Sequence, residues 1–241
     1  MNNHLRVQLV WFAALWGLLL SCISVSWLAH AQYDYGYAHL YDLYAIGEHI
    51  DYYAPQNQNI LGLNKVSKDV HIALFSQIST AVHNHGTGLE DIAFTVQGET
   101  KKLLHKAEII HLQDVANLID KVHIASLITW VLTVILFIYL FRRKVKPKLK
   151  VQSFSLLLLL ALIVATVFAV GPTKVFYQLH IWMFPDGHQW FFYYQESLMS
   201  TLMKAPDLFG GIAVSIVSIA LLLFMLVLLL FSYGYRRLGF T

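Results

Sequence analysis

Apolar residues fill four runs of the chain almost without interruption, at about 9–29, 124–141, 151–170 and 211–231. A helix needs about 20 residues to cross a hydrocarbon layer of roughly 30 Å, and each run approaches that length. None contains Asp, Glu, Lys or Arg. A soluble helix is seldom apolar on every face for so long. The pattern therefore predicts a mainly α, polytopic membrane protein. It has four transmembrane helices and a mostly helical extracytoplasmic domain between spans one and two.

The basic residues orient these spans, because short cytoplasmic links are enriched in Lys and Arg. Arg142, Arg143, Lys144, Lys146, Lys148 and Lys150 crowd the link 142–150, Arg236 and Arg237 follow span four, and Arg6 precedes span one. Segment 32–122 has six Lys, no Arg and eleven acidic residues. The expected order is a cytoplasmic N-terminus (1–8), span 9–29, an extracytoplasmic domain (30–123), span 124–141 and a cytoplasmic basic link (142–150). Span 151–170, an extracytoplasmic aromatic loop (171–210), span 211–231 and a cytoplasmic tail (232–241) follow. Both termini are then inside. Span one also resembles a signal peptide ending at Ala29-His30-Ala31, but its run exceeds the usual h-region of about 7–15 residues. A retained anchor is the expectation, with Cys22 a small apolar residue in lipid.

Periodicity organises the outer segments. Tyr37, Leu40, Tyr41, Tyr44 and Ile46 follow a helical spacing within a stretch, Tyr33–Tyr53, that holds seven tyrosines. Ser67 is a candidate N-cap for a helix running to His83, and His83–Gly88 reads as a turn. The run 92–96 is β-prone and ends at Gly98. Neither Pro nor Gly occurs between Gly98 and Pro147, which predicts one helix from about 100 to 141. Leu104, Glu108, His111, Val115, Leu118 and Val122 form a heptad-like stripe on its outer half. The aromatic loop holds Trp182, Phe184, Trp190, Phe191, Phe192, Tyr193 and Tyr194 around a Pro185-Asp186-Gly187 turn.

Composition narrows the function classes. Of 241 residues 57% are hydrophobic and 13% charged, about half the usual charged share, which excludes disorder. A single cysteine cannot form a disulfide within the chain. A net charge of +3 with no basic run on a soluble surface gives no footprint for nucleic acid.

Twelve histidines are the main chemical resource. His4, His30, His39 and His49 fall at span ends or on polar faces and read as structural. His83 and His85 form an H-x-H pair with no third ligand at zinc spacing. Glu108 and His111 make one E-x-x-H half-site, where a di-iron bundle needs two. No metal site and no cofactor is expected. No G-x-S-x-G elbow exists, so a serine-elbow hydrolase has no motif. Two histidines stand out. His111 has Glu108 three residues before it and Asp114 three after it, both helical neighbours. His180 lies in the aromatic segment.

These two segments carry a resemblance. Glu108, His111, Asp114 and Val115 before span two, with His180, Phe184, Pro185, Gly187 and Trp190 after span three, are similar to the two signatures of the lipoprotein intramolecular transacylase family. Leu179 and Met183 depart from its usual phenylalanines, and Trp190 lies about one residue late. The resemblance spans essentially the whole chain. It implies an acyltransferase of the bacterial cytoplasmic (inner) membrane, acting on diacylglyceryl lipoproteins among membrane lipid. The sn-2 acyl chain of the S-diacylglyceryl-cysteine moves to the cysteine α-amine and leaves the lyso form. It further implies catalytic roles for His111 and His180, supported by Glu108 and Asp114. Trp182, Phe184, Gly187 and Trp190 would bind substrate. His180 suits the base and His111 proton delivery or polarisation of the ester, and the two roles are interchangeable at this level. The competing class is a non-catalytic membrane protein that binds lipid or assists envelope assembly.

The orientation is directly testable. Single cysteines placed at Asn84 and Gly187 should react with an impermeant thiol reagent from outside, and one at Lys146 only after the membrane is opened. Outside labelling at position 146 would reverse the assignment.

Overall fold

The computed structural model describes residues 3–144 and 147–237. Lys146 of the basic link and the last four residues of the tail lie outside the described residues, as do the side chains of His4, Arg236 and Arg237. Helices α1 (Asn3–Gln32), α2 (Tyr37–Leu43), α3 (Ile46–Tyr53) and α4 (Lys68–His83) are followed by strands β1 (Ala93–Val96) and β2 (Glu99–Lys102). Then come α5 (Lys106–Arg143), α6 (Leu149–Val170), α7 (Pro172–Met183), α8 (Leu198–Met203) and α9 (Asp207–Arg237). Among the described residues four helices are long and apolar enough to cross a membrane, over Leu5–Gln32, Lys106–Arg143, Leu149–Val170 and Asp207–Gly234. They run past the apolar runs of the sequence because helical hydrogen bonding continues into polar residues once nucleated.

The chain forms two compact units. The first takes Met1–Trp27, His123–Leu179 and Ile216–Thr241. Its helices meet through small or interdigitating residues, the expected device where hydrocarbon gives helices no hydrophobic reason to associate. Trp11 is buried with Val7, Ala14 and Leu140, and its ring meets Phe137 edge-on at 5.9 Å. Leu19, Cys22, Leu156, Ala220 and Phe224 form a second cluster. A Cβ at Gly17 would collide with Thr133 Oγ1, so only glycine permits that approach. Polar groups are satisfied locally: Trp130 Nε1 donates to Ser24 Oγ at 2.7 Å, and Thr166 Oγ1 to Leu162 O at 2.8 Å. Helix α6 leaves Phe154, Leu157 and Phe168 exposed, a surface suited to lipid rather than water.

The second unit takes Leu28–Val122 and His180–Ser215. The tyrosine-rich stretch is two helices rather than one, because Ala45 adopts a left-handed φ of 48° between α2 and α3. Tyr37 is fully buried, stacks on Phe75 at 4.0 Å and donates from its hydroxyl to Leu202 O at 2.7 Å. His71 bridges Tyr41 Oη and Leu63 O, each at 2.8 Å. Ser67 is the N-cap of α4 by position, without a side-chain cap bond.

The helix expected from about residue 100 begins later. Residues 99–102 pair with 93–96, with Val96 opposite Glu99. The connecting Gln97 and Gly98 both have positive φ, 54° and 83°, the two-residue hairpin turn that matches strand twist. The stretch 171–210 is likewise less of a loop than expected, since it carries α7 and the wholly buried α8.

Tyr37→Phe should remove one buried hydrogen bond and leave the Leu202 carbonyl unpaired. The cost should be about 1–3 kcal/mol, read as a lower unfolding temperature of the detergent-solubilised protein. An unchanged unfolding temperature would show that this bond contributes nothing.

Candidate active site

The site belongs to the second unit and starts from how α5 begins. Glu108 is the third helical residue and accepts the backbone N–H of the capping residue His105 at 2.7 Å. This is the reciprocal half of a capping box. Its other carboxylate oxygen accepts Ser197 Oγ–H and, at 3.4 Å, the Met199 N–H. Ser197 in turn caps α8, accepting from Ser200 N at 2.9 Å. Glu108 is 1% exposed. Burial pushes its carboxyl upward, and the hydrogen bonds from Ser197 and His105 pull it back. Glu108 thus fixes the start of α5.

His111 lies one turn further on and is 9% exposed. His180, on α7, presents its ring 6.5 Å away, nearly parallel at 28°. Phe184, one turn after His180, touches both imidazoles, at 4.9 Å and 5.2 Å. Phe192 packs on His111 at 5.9 Å and on His105 at 5.7 Å. Trp190 packs on His180 at 5.0 Å. The two histidines thus share an aromatic enclosure. Burial, then the charge His180 can carry, lowers His111 to about 4, with Asp114 opposing. His111 precedes the uninterrupted apolar run of α5 and is neutral near pH 7.

The remaining sequence candidates divide. Asp114 accepts from His188 Nδ1 at 2.6 Å, and it acts on His111 through its charge. Gly187 has φ 84° in a turn closed by His188 N donating to Pro185 O at 3.3 Å. That positive φ accounts for glycine there. Trp182 is 73% exposed and is not brought to the histidines. Residues two apart on a helix face different ways, so α7 cannot present both His180 and Trp182 to one site.

The buried face at the start of α5 runs through Glu108, His111, Leu112 and Ala116, with Leu104 buried just before the helix, whereas the expected stripe continued through Val115, Leu118 and Val122. His105, His188, Phe192 and Ser197 escaped the sequence reading. His188 follows the Pro-Asp-Gly turn in plain view, but its partner is 74 positions away. His49, read as structural on a polar face, is wedged between Tyr53 and Tyr194 rings at 4.7 Å and 4.5 Å. Burial, with Lys204 nearby, lowers it to about 4. The H-x-H pair is split: His83 Nε2 meets Tyr35 Oη at 2.7 Å and His85 Nδ1 meets Asp120 at 2.8 Å. Among the described residues no three His, Cys, Asp or Glu gather as a metal site.

The chain resembles known proteins in sequence and in fold. The family described as lipoprotein intramolecular transacylase Lit matches residues 9–209. Crystallised forms of the integral membrane lipoprotein intramolecular transacylase Lit from Bacillus cereus share the fold. One is 18% identical, covers 99% of this chain and 100% of its own, and has a TM-score of 0.69. A form in which a histidine is replaced by arginine is 19% identical over 96% of this chain and 93% of its own, with a TM-score of 0.67. No protein of curated function matches in sequence.

The lowered value of His111 has a consequence for stability. Its folded value of about 4 lies below the ordinary 6.5, so the unfolded chain takes up the proton first on acidification. Stability present above about pH 6.5 is therefore lost as pH falls toward 4. His111→Gln should lose less of its unfolding temperature than the parent between pH 7 and 4.5. Equal losses would remove His111 from the acid response.

Proposed function

The chain belongs to the lipoprotein intramolecular transacylase family, and from that premise we propose the reaction and the residues that carry it. The sn-2 acyl chain of an S-diacylglyceryl-cysteine lipoprotein moves to the α-amine of the same cysteine. The products are an N-acyl cysteine and a free glycerol hydroxyl. Nitrogen attacks the ester carbonyl, a C–N bond forms, the ester C–O bond breaks and the glycerol oxygen takes a proton.

Nucleophile and ester both come with the substrate, so the protein needs no acyl-accepting serine or cysteine. Its tasks are proximity, worth about 7–11 kcal/mol when reacting atoms are held in place, and proton movement. His180 is the less buried imidazole and takes the proton from the attacking nitrogen. His111 is buried and neutral, and it donates an N–H toward the ester oxygen as charge develops there. The observation that carries this reading is the pair of imidazoles 6.5 Å apart across one phenylalanine. Two such rings disfavour simultaneous protonation, so a proton taken by one is passed on rather than stored. Phe184, Phe192 and Trp190 offer an apolar surface to the acyl chain and exclude water.

The protein is placed in the bacterial cytoplasmic membrane with both termini inside. Segments 32–122 and 171–210, which contain the site, face outward. Support comes from the Lys and Arg distribution.

His111→Ala and His180→Ala should each lower acyl transfer by at least about 100-fold, the scale of general acid–base catalysis. Both should still accumulate in the membrane. The double variant should be no worse than the poorer single one, because residues acting as a unit are not additive. The readout is the mass of lipoprotein N-termini in a deletion strain carrying each variant. Full activity in both single variants would return the protein to a non-catalytic role. Activity should also survive strong chelators, and loss restored by zinc would revive a metal reading.

A further inference from the structure

The turn that leads into α8 carries a buried hydroxyl to which the acyl-transfer chemistry gives no task. Ser197 is 0% exposed, and its Oγ works in two directions. It donates to Glu108 Oε1 on α5 and accepts from Ser200 N at 2.9 Å as the N-cap of α8. Just before it, Glu196 N and Ser197 N both donate to Tyr193 O, at 3.0 Å and 3.1 Å. Phe192 is bonded to Tyr193 and moves with that turn.

These contacts close a circuit. From Ser197 the path runs to Glu108, whose other oxygen accepts the His105 N–H at 2.7 Å. The His105 ring packs on Phe192 at 5.7 Å, and Phe192 leads back through Tyr193 to Ser197. His111 meets the circuit twice. It lies one turn beyond Glu108 on α5, and its imidazole packs on Phe192 at 5.9 Å. The segment is also tied to a second place, since Gln58 N donates to Gln195 O at 2.8 Å and Asn59 Nδ2 to Glu196 O at 3.0 Å. Without the Ser197 hydroxyl, Glu108 Oε1 keeps the Met199 N–H at 3.4 Å. A buried carboxylate short of donors draws in water or turns away. Residues 192–196 would then follow the 57–59 stretch, and Phe192 would lose its register on His111.

We infer that Ser197 is a positioning residue for acyl transfer: through Glu108 it holds Phe192 against His111 and so sets the width of the enclosure in which amine and ester meet. The inference rests on the proposed reaction. Ser197 acts through other residues and exchanges no proton with substrate. A displacement of about 1 Å at a reacting centre can cost about 100-fold in rate. Apolar contact with an acyl chain tolerates such a shift, because it has no directional requirement. The chemical step should therefore suffer while binding does not.

The assay uses the full-length protein in detergent and a synthetic S-diacylglyceryl lipopeptide, with the N-acyl product quantified by mass spectrometry. Ser197→Ala should lower kcat about tenfold or more and leave KM within about twofold of the parent. Ser197→Thr keeps a hydroxyl donor and should return to within about threefold of the parent kcat. Tyr37→Phe removes a different bond to α8, at Leu202 O, and should leave kcat within about twofold. The NMR titration of His111, identified by its loss in His111→Gln, gives a readout independent of turnover. Burial lowers His111 to about 4, and in Ser197→Ala readmitted water should raise it toward 6.5. The titratable groups around it, His180 on α7 with His105, Glu108 and Asp114 at the start of α5, are unchanged in that variant. Parent-like kcat in Ser197→Ala, a change confined to KM, or a His111 midpoint still at about 4 would overturn the proposal and leave Ser197 a cap of α8. So would a Thr variant as defective as the Ala variant, or an equal kcat loss in Tyr37→Phe. Absence of N-acyl product from the parent would instead overturn the acyl-transfer reading, and the His111 titration would still decide whether Ser197 closes the enclosure. If Ser197→Ala does not accumulate, Ser197→Cys decides: its weaker donor should lower kcat about threefold or more with KM unchanged, and parent-like values would overturn the proposal.

Discussion

A carboxylate cannot lie in a protein interior without hydrogen-bond donors to replace water, and Glu108 meets that demand with groups from two places in the sequence. His105 N–H comes from its own helix start, and Ser197 Oγ–H and Met199 N–H come from the start of α8. The start of α5 and the start of α8 are thereby fixed together. His111 is one helical turn beyond Glu108, and Phe192 lies five residues before Ser197. The contact between their rings at 5.9 Å follows from the same clamp. Loss of one donor would leave a buried acceptor partly unpaired, a penalty of about 1–3 kcal/mol and more for a charge.

That clamp explains what the sequence could and could not reveal. The four long helices were legible because hydrocarbon demands uniformly apolar segments, a signal that needs no tertiary context. His111 and His180 were legible because each carries a family signature on its own short segment. The roles of Glu108 and Asp114 were not, because spacing of three suggests a helical neighbour and both carboxylates turned to partners about 90 and 74 positions away. The hairpin at 93–102 escaped for a different reason. Lysine and threonine at 100–102 do not oppose a helix strongly, and the ladder to Ala93–Val96 overrides their local preference. Trp182 was misplaced because aromatic density says nothing of direction along a helix, whereas the turn of α7 does.

The enclosure around the imidazoles uses one physical effect twice. Phe184, Phe192 and Trp190 remove water, which keeps His111 neutral and strengthens every remaining polar interaction by lowering the local dielectric. The same rings are indifferent to the exact position of an acyl chain, since contact with hydrocarbon is non-directional. Proton movement and chain accommodation can therefore share one apolar wall without competing demands on geometry.

Rigidity is distributed accordingly. His111 and His180 sit on helices, whose backbone hydrogen bonds hold a side chain's origin more tightly than a loop does. Trp190 and Phe192 lie in the irregular stretch between α7 and α8, fastened at its far end by Ser197. In the proposed reaction the proton-handling groups are thus placed by regular structure and the acyl surface by an irregular segment between two anchors. An intramolecular transfer needs this division, because the ester and the amine are already joined by the substrate and only their mutual approach must be enforced. On the proposed reading the protein would hold the proton-handling atoms still and let the hydrocarbon settle around them.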